Sequence, residues 1–301
     1  MSKASFVAVD WGTSSFRLWV MDEDAGILAT TTGPYGMSRL KPDEYDRVLE
    51  VALQELGFAG DLPVIISGMA GAAQGWCEAP YLSAPTQLDD LGAKAVRVEG
   101  STHEAHILPG VKQVSPANVM RGEETQIAGL LSHQPDYSGT VCLPGTHSKW
   151  VRINDRAIVA FESCLTGEQF AFFSEASVLS HSMIDGGWDA DAFEAAVRLA
   201  IQDPSSVPRR LFAIRAEMLV AQQSSAQARA KLSGLLIGQE LMSVPQYWQG
   251  QYVTLIGATS LCELYSKALA LAGASASILD VTTMTLAGLA AAHQQGRHAD
   301  A

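Results

Sequence analysis

Charge is scarce in this chain and mostly of one sign. Lys and Arg number 20 against 32 Asp and Glu, charged residues make up 17% of the 301, and the formal net charge is −12. That balance excludes general binding to nucleic acid or to an anionic membrane surface, both of which draw on an excess of cations. An anionic ligand must instead be met by cations gathered locally. Cysteine is sparse too. Cys77, Cys142, Cys164 and Cys262 are scattered and no Cys-x-x-Cys occurs, so they read as reduced, mostly buried thiols rather than a disulfide frame or a zinc site. No apolar run reaches the length of a membrane span, and the start lacks the basic and long apolar pattern of a signal peptide. A cytoplasmic protein with no membrane or nucleic-acid partner is the expectation.

Core-forming residues are plentiful, at 48% hydrophobic. A chain of this length exceeds the usual single core, which predicts two domains. Alternation predicts strands over 5–10, 15–22 and 26–31, a helix over 43–56 with Val48, Leu49, Ala52, Leu53 and Leu56 on one face, and a central strand over 63–67. After a loop-rich middle, a second cycle begins: a helix over 122–131, strands over 140–143, 149–153 and 156–161, then mainly helices over 167–245. The chain closes with a strand at 252–256, a helix at 259–272, a strand at 276–279 and a helix at 283–294. Two rounds of hairpin strands, helix and strand predict a duplicated α/β unit. The expected division is 1–118 and 119–301, with the last helix packing back on the first domain.

Two hairpin turns carry the chemistry. In the first, an apolar strand ends in Asp10, the turn is Gly12-Thr13-Ser14-Ser15, and alternation resumes with Arg17 on the returning strand. A small, hydroxyl-rich turn offers backbone N–H groups to an anion with nothing bulky in the way. Asp10 is placed to hold a hydrated metal. The second turn, Pro144-Gly145-Thr146-His147-Ser148, runs between another apolar strand and Lys149-Trp150-Val151. Two such turns, one in each domain, would hold a polyphosphate between them. Between them lies Met120-Arg121-Gly122-Glu123-Glu124. Two acids opening a helix suit the helix dipole, and one of them could also accept a proton from a substrate hydroxyl. Gly257-Ala258-Thr259-Ser260 ends a strand and opens a helix, where small residues let a base or ribose approach the backbone.

The order of these four segments is similar to that of the actin, hexokinase and Hsp70 superfamily: phosphate turn, catalytic acid, second phosphate turn, adenosine segment. Ser67-Gly-Met-Ala-Gly71, Gly75-Trp76, Ala79-Pro-Tyr-Leu-Ser83, Met120 to Gln126, Pro144 to His147, Lys149 to Val151, Leu165-Thr-Gly-Glu168 and Leu232 to Gly238 resemble the 2-dehydro-3-deoxygalactonokinase family over nearly the whole chain. The resemblance implies a two-domain actin-like ATPase fold of the ribonuclease H-like kind, with a duplicated mixed sheet and an interdomain cleft. It implies ATP and Mg²⁺ as cofactors, and phosphoryl transfer to the terminal C6 hydroxyl of 2-dehydro-3-deoxy-D-galactonate in galactonate catabolism. On that basis Asp10 organises Mg²⁺, and Gly12, Thr13 and Ser14 line one phosphate loop. Gly145, Thr146 and Ser148 line the other. Gly257, Ala258, Thr259 and Ser260 take the adenosine. Glu123 falls where related sugar kinases carry a catalytic Asp, so it is assigned as base with Glu124 second, and Arg17 joins the catalytic group. Arg121 and Lys149 are candidate cations for the sugar-acid carboxylate, and Gln74, Trp76 and His147 candidate substrate contacts.

Two other functions fit the same segments: a kinase for the gluco epimer, or an ATPase or polyphosphatase with water as acceptor. A nucleotide-binding scaffold is a third class, against which the acids and phosphate turns speak. Nothing in the sequence opposes a homo-oligomer. His103-Glu-Ala-His106 has a metal-like spacing but sits near Pro109 without a clear helix, and is not read as a metal site. Trp11, Trp19 and Trp150 are read as hairpin packing, and Gly234 and Gly238 as permitting close helix contact.

Overall fold

The alternation of the first thirty residues folds as it reads. In the computed structural model, which describes residues 3–58, 60–184 and 186–299 and side chains through 296, β1 (Ala4–Trp11), β2 (Phe16–Asp22) and β3 (Ile27–Gly33) form an antiparallel meander. Helix α1 (Tyr45–Glu55) follows, then β4 (Val64–Gly68), which pairs parallel with β1. The expected loop-rich middle is instead built from very short strands: β5 (Leu82–Ser83), β6 (Thr86–Gln87), β7 (Val96–Arg97), β8 (Ala105–Ile107), β9 (Val111–Gln113) and β10 (Asn118–Met120). Strands of two or three residues carry no readable period, so the sequence hid them. Helix α2 (Glu123–His133) comes next.

The second cycle comprises β11 (Gly139–Leu143), β12 (Ser148–Asn154), β13 (Ala157–Cys164), α3 (Thr166–Ala171), α4 (Ala190–Gln202), α5 (Val207–Val220), α6 (Ser225–Ser243), α7 (Pro245–Trp248), β14 (Tyr252–Gly257), α8 (Thr259–Leu271) and β15 (Ser275–Asp280). Helix α9 (Val281–Ala299) ends it. By contacts the chain divides into two units. Unit 1 is Met1–Ser138, Ile153–Ala160 and Val281–Ala301, and unit 2 is Gly139–Arg152 and Phe161–Asp280. A boundary at 118/119 would put α2 and the short piece of β12 and β13 in the second domain, whereas they count with unit 1; the last helix counts with unit 1 too.

In unit 1 the main sheet has the order β3-β2-β1-β4-β8-β7. One face of it, through Val7, Val9, Trp11, Leu18, Val20, Val64 and Ile66, packs on Tyr45, Leu49 and Leu53 of α1. The other face meets α9, where the Phe6 ring stacks on His293 with centroids 4.4 Å apart. Helices α2 and α9 cross closely, because Gly129 sits against the Met284 carbonyl and Gly288 against that of Thr125. In unit 2 the order β15-β14-β11-β12-β13, with β11, β14 and β15 parallel, repeats the β8-β4-β1-β2-β3 order of unit 1. Helices α4 and α6 pack through Gly234 and Gly238, where a Cβ would lie 2.8 Å and 2.7 Å from those of Ala196 and Ala200. The reading of these glycines as close-packing positions is correct.

Candidate functional site

In unit 1, four chain segments converge at the ends of β1 and β4. The register pairs Asp10 with Arg17 across the hairpin and with Ser67 on β4. Arg17 donates through Nε to Asp10 Oδ2 at 3.0 Å and pairs with the same oxygen through Nη2. The catalytic candidate Arg17 is therefore tied to the metal candidate Asp10. Gly12 closes the turn by donating to the Ser15 carbonyl at 2.9 Å. The carbonyls of Gly12 and Thr13 accept from the N–H groups of Met37 and Ser38 at 3.0 and 2.9 Å. Gly36 makes this support possible, since a Cβ there would collide with the Thr13 carbonyl. Thr13, Ser14 and Ser15 are left exposed at the tip.

Gly68 ends β4 with φ of 96°, and a Cβ on it would lie 2.5 Å from the Trp11 carbonyl and 3.5 Å from Asp10 Oδ1. Gly122, with φ of 110°, caps α2 beside it, 3.6 Å from the Gly68 Cα by the same measure. Only glycine takes such φ values without strain, and the two together bring the α2 N-terminus against Gly68. The two acids that open α2 then diverge. Glu123 is half-buried and accepts from the Arg121 N–H at 3.0 Å. Glu124 is fully buried, with both carboxyl oxygens on the Gly122 N–H at 2.8 and 2.9 Å. Burial first, and the neighbouring Glu123 charge second, push the Glu124 carboxyl up to about 7, against the pull of backbone N–H groups and Arg121. Its neighbour Thr125 shares a 2.7 Å hydrogen bond with Ser67.

Arg121 lies over the Tyr81 ring, 4.2 Å from its centroid, and donates through Nη2 to the Ala79 carbonyl at 2.7 Å. Its Nε and Nη1 are buried with no hydrogen-bond partner among the described residues. Trp76 is held in an aromatic group, stacked on Tyr45 at 5.9 Å and edge-on to Trp11 at 6.0 Å. It braces the hairpin, with Trp11 Nε1 donating to the Tyr35 carbonyl at 2.6 Å. Gln74 is exposed on the loop after β4. Among the described residues no group of three or more His, Cys, Asp and Glu could hold a metal. Asp10 alone still fits Mg²⁺, which takes one or two carboxylates and otherwise keeps water and phosphate oxygens.

In unit 2 the second turn borders a cavity of about 410 Å³. Gly145 and Thr146 form one side, Thr166, Gly167 and Phe170 of α3 another, Arg229, Ser233, Leu236 and Ile237 of α6 a third, and Leu261, Leu264 and Tyr265 of α8 the last, with Trp188 at the wall. Gly167 lets α3 press on the turn, where Glu168 donates its N–H to the Thr146 carbonyl at 2.9 Å. His147 is exposed and its Nε2 lies 2.5 Å from Glu168 Oε2. Ser148 points the other way. Fully buried, its hydroxyl shares a 2.8 Å bond with Tyr265 OH, so Thr146 is the hydroxyl the turn offers to a ligand. Lys149 is 5% exposed and donates to the His147 carbonyl at 3.2 Å. Gly257 is buried against Pro144, while Ala258, Thr259 and Ser260 are exposed at the start of α8. The cavity itself is lined by the next turn of that helix. Sequence reading counted Leu261, Leu264 and Tyr265 as one helical face and did not single out Thr166, Arg229 or Glu240. The signal for Thr166 lay in the Leu165–Glu168 segment, and Arg229 and Glu240 flank the Leu232–Gly238 segment.

A mixed five-strand order laid down twice, each time with a glycine- and hydroxyl-bearing turn after its first strand, is the α/β two-domain ATPase fold of the sugar kinases. A dehydratase activator from Clostridium difficile with bound ADPNP has this fold, at 14% identity and TM-score 0.52, over 98% of this chain and 95% of that one. The family model described as 2-keto-3-deoxy-galactonokinase matches residues 10–292. A curated relative from Rhizobium meliloti (strain 1021), named as a 2-dehydro-3-deoxygalactonokinase, is 38% identical over 95% of this chain and 96% of its own. The 2-dehydro-3-deoxygalactonokinase of Escherichia coli (strain K12) is 33% identical over the same shares. A Sinorhizobium meliloti crystal structure described by the same activity superposes with a TM-score of 0.90 at 38% identity, over 96% of this chain and 98% of that one. The chain belongs to the 2-keto-3-deoxy-galactonokinase family, and it is a kinase, a phosphotransferase with an alcohol group as acceptor.

Proposed function

We propose that this kinase transfers the γ-phosphoryl group of ATP to the C6 hydroxyl of 2-dehydro-3-deoxy-D-galactonate, as a cytoplasmic enzyme of galactonate catabolism. The family match over residues 10–292 carries the substrate. The acidic N-terminus of α2 beside Asp10 and Gly68 supports the chemistry. Glu123 is the base: it is the acid of the pair that solvent reaches, while Glu124 is shut in and holds the Gly122 N–H. Glu123 takes the hydroxyl proton as the new O–P bond forms and the bond to ADP breaks. The exposed tip of turn one, Gly12, Thr13 and Ser14, and Gly145 and Thr146 of turn two hold phosphate oxygens. The 410 Å³ cavity takes the adenosine, with Ala258, Thr259 and Ser260 at its border. Asp10 holds Mg²⁺, which when bound offsets phosphate charge, and Arg17 fixes the Asp10 carboxylate.

Of the three cations named from the sequence, Arg17 is committed to Asp10 and Lys149 is buried in unit 2. Arg121 keeps two donors unpartnered, a cost of about 1–3 kcal/mol for each buried group that a bound carboxylate relieves. We assign it the sugar-acid carboxylate, with Gln74 of the same unit as an outer contact. The test is the product. Phosphorus–proton NMR on the reaction mixture is expected to place the phosphate on C6. Glu123→Gln is expected to lower kcat by about 10²–10⁴ with the KM for ATP nearly unchanged. A Glu123→Gln enzyme with parental kcat contradicts the assignment of the base.

A further inference from the structure

The carboxyl of Glu240 is bonded on both oxygens, although the residue is only 4% exposed and does not line the cavity. Trp150 Nε1 donates to its Oε1 at 2.7 Å, and Tyr265 OH to its Oε2 at 2.7 Å. The hydroxyls of Thr166 and Ser148 reach the same carboxyl, and Ser148 is also bonded to Tyr265. Trp150 and Tyr265 thus occupy one carboxyl oxygen each, and the Ser148 and Thr166 hydroxyls stand beside the same carboxyl. Burial holds the Glu240 carboxyl above its ordinary value, and the neighbouring Thr166, Trp150, Tyr265 and Ser148 offset that only in part.

The donors come from different walls of the cavity. Ser148 and Trp150 belong to β12, immediately after turn two. Thr166 opens α3, and Tyr265 is on α8. Thr166 and Tyr265 line the cavity themselves, and Glu240 stands on α6, which supplies Ser233, Leu236 and Ile237 to it. Burying a carboxyl costs several kcal/mol, and well-packed apolar residues usually serve stability as well or better. What an apolar residue cannot do is tie β12 and α8 to α6 through hydrogen bonds of fixed length, with Thr166 of α3 beside the same carboxyl.

We infer that Glu240 is a positioning residue of the nucleotide site: it fixes the spacing of turn two, α3 and α8 around α6, and so sets the affinity for ATP without touching it. The inference rests on the reading of the cavity as the adenosine site. Glu240→Gln keeps the shape but turns one acceptor oxygen into an NH₂ donor, so that the Trp150 and Tyr265 donors are left with one acceptor oxygen between them. Titration of the full chain with Mg·ATP, read by calorimetry, is expected to show Kd raised about tenfold. The KM for ATP follows, while kcat and the KM for the sugar acid stay within about twofold. Tyr265→Phe drops one donor, keeps the ring, and is expected to shift ATP affinity the same way by about threefold. A side chain that only stabilised the fold would lower Tm and leave ATP affinity alone. Parental ATP affinity in Glu240→Gln therefore overturns the inference. If that variant fails to fold, parental affinity in Tyr265→Phe overturns it instead. Leu264→Trp, which fills the cavity from a half-buried position, separates the two claims. Loss of ATP binding there with parental affinity in the other two removes only the role of Glu240. Parental affinity in Leu264→Trp removes the cavity assignment and the inference together.

Discussion

Glu123 and Glu124 are neighbours in sequence with opposite surroundings, and the difference is measurable. Glu124 holds its proton up to about 7 in the folded chain against an ordinary value of 4.5. The folded state therefore binds more protons than the unfolded state between those values, so stability falls as pH rises through that window and levels off above it. A shift of this size corresponds to roughly 3 kcal/mol at most. Urea unfolding from about pH 5 to about pH 8 should show a smaller fall in midpoint for Glu124→Gln than for the parent. An identical fall in both would mean that Glu124 is not the titrating group. The pair also marks the limit of sequence reading at this scale. Two acids at the start of a helix were legible in the sequence. Which one is buried was not, because that depends on Gly122 turning the chain with a positive φ against Gly68, a contact 54 residues apart.

At the scale of elements, the first turn is held from behind. Gly36 has an ordinary φ of −70°, so space alone requires glycine there, against the Thr13 carbonyl and Ser14. Gly36→Ala is expected to displace the turn, cost about 1–3 kcal/mol of stability, and raise the KM for ATP. Thermal unfolding and steady-state kinetics check it, and unchanged values for both would remove the 36–38 segment as a support. Both hairpins, α1, α8 and the parallel strands β4 and β14 were legible because alternation or a helical stripe runs through five or more residues. The small sheet of β5, β9 and β10 was not, since two- and three-residue strands carry no period. Nor were the inward turn of Ser148 and the gathering of donors on Glu240. Those arise from α3, α6 and α8 meeting β12, and no local pattern encodes such a meeting.

At the scale of the whole molecule, the same strand order is used twice, and the duplication was readable as two rounds of hairpin, helix and strand. The unit boundaries were less so. Unit 1 is assembled from three stretches of chain, and a boundary drawn at one point along the sequence cannot follow the short 153–160 stretch that returns to it. Function separates along the same lines in this account. Unit 1 carries Asp10, Arg17, Arg121 and Glu123, and unit 2 carries turn two and the cavity. An enzyme built this way should spend ATP on its sugar acid and not on water. The most direct measurement is ADP release from Mg·ATP, followed continuously, first alone and then with 2-dehydro-3-deoxy-D-galactonate. Slow release alone is expected, with a rise of about a hundredfold or more when the sugar acid is added. Rapid release without it, or no rise with it, would contradict the kinase reading at its centre.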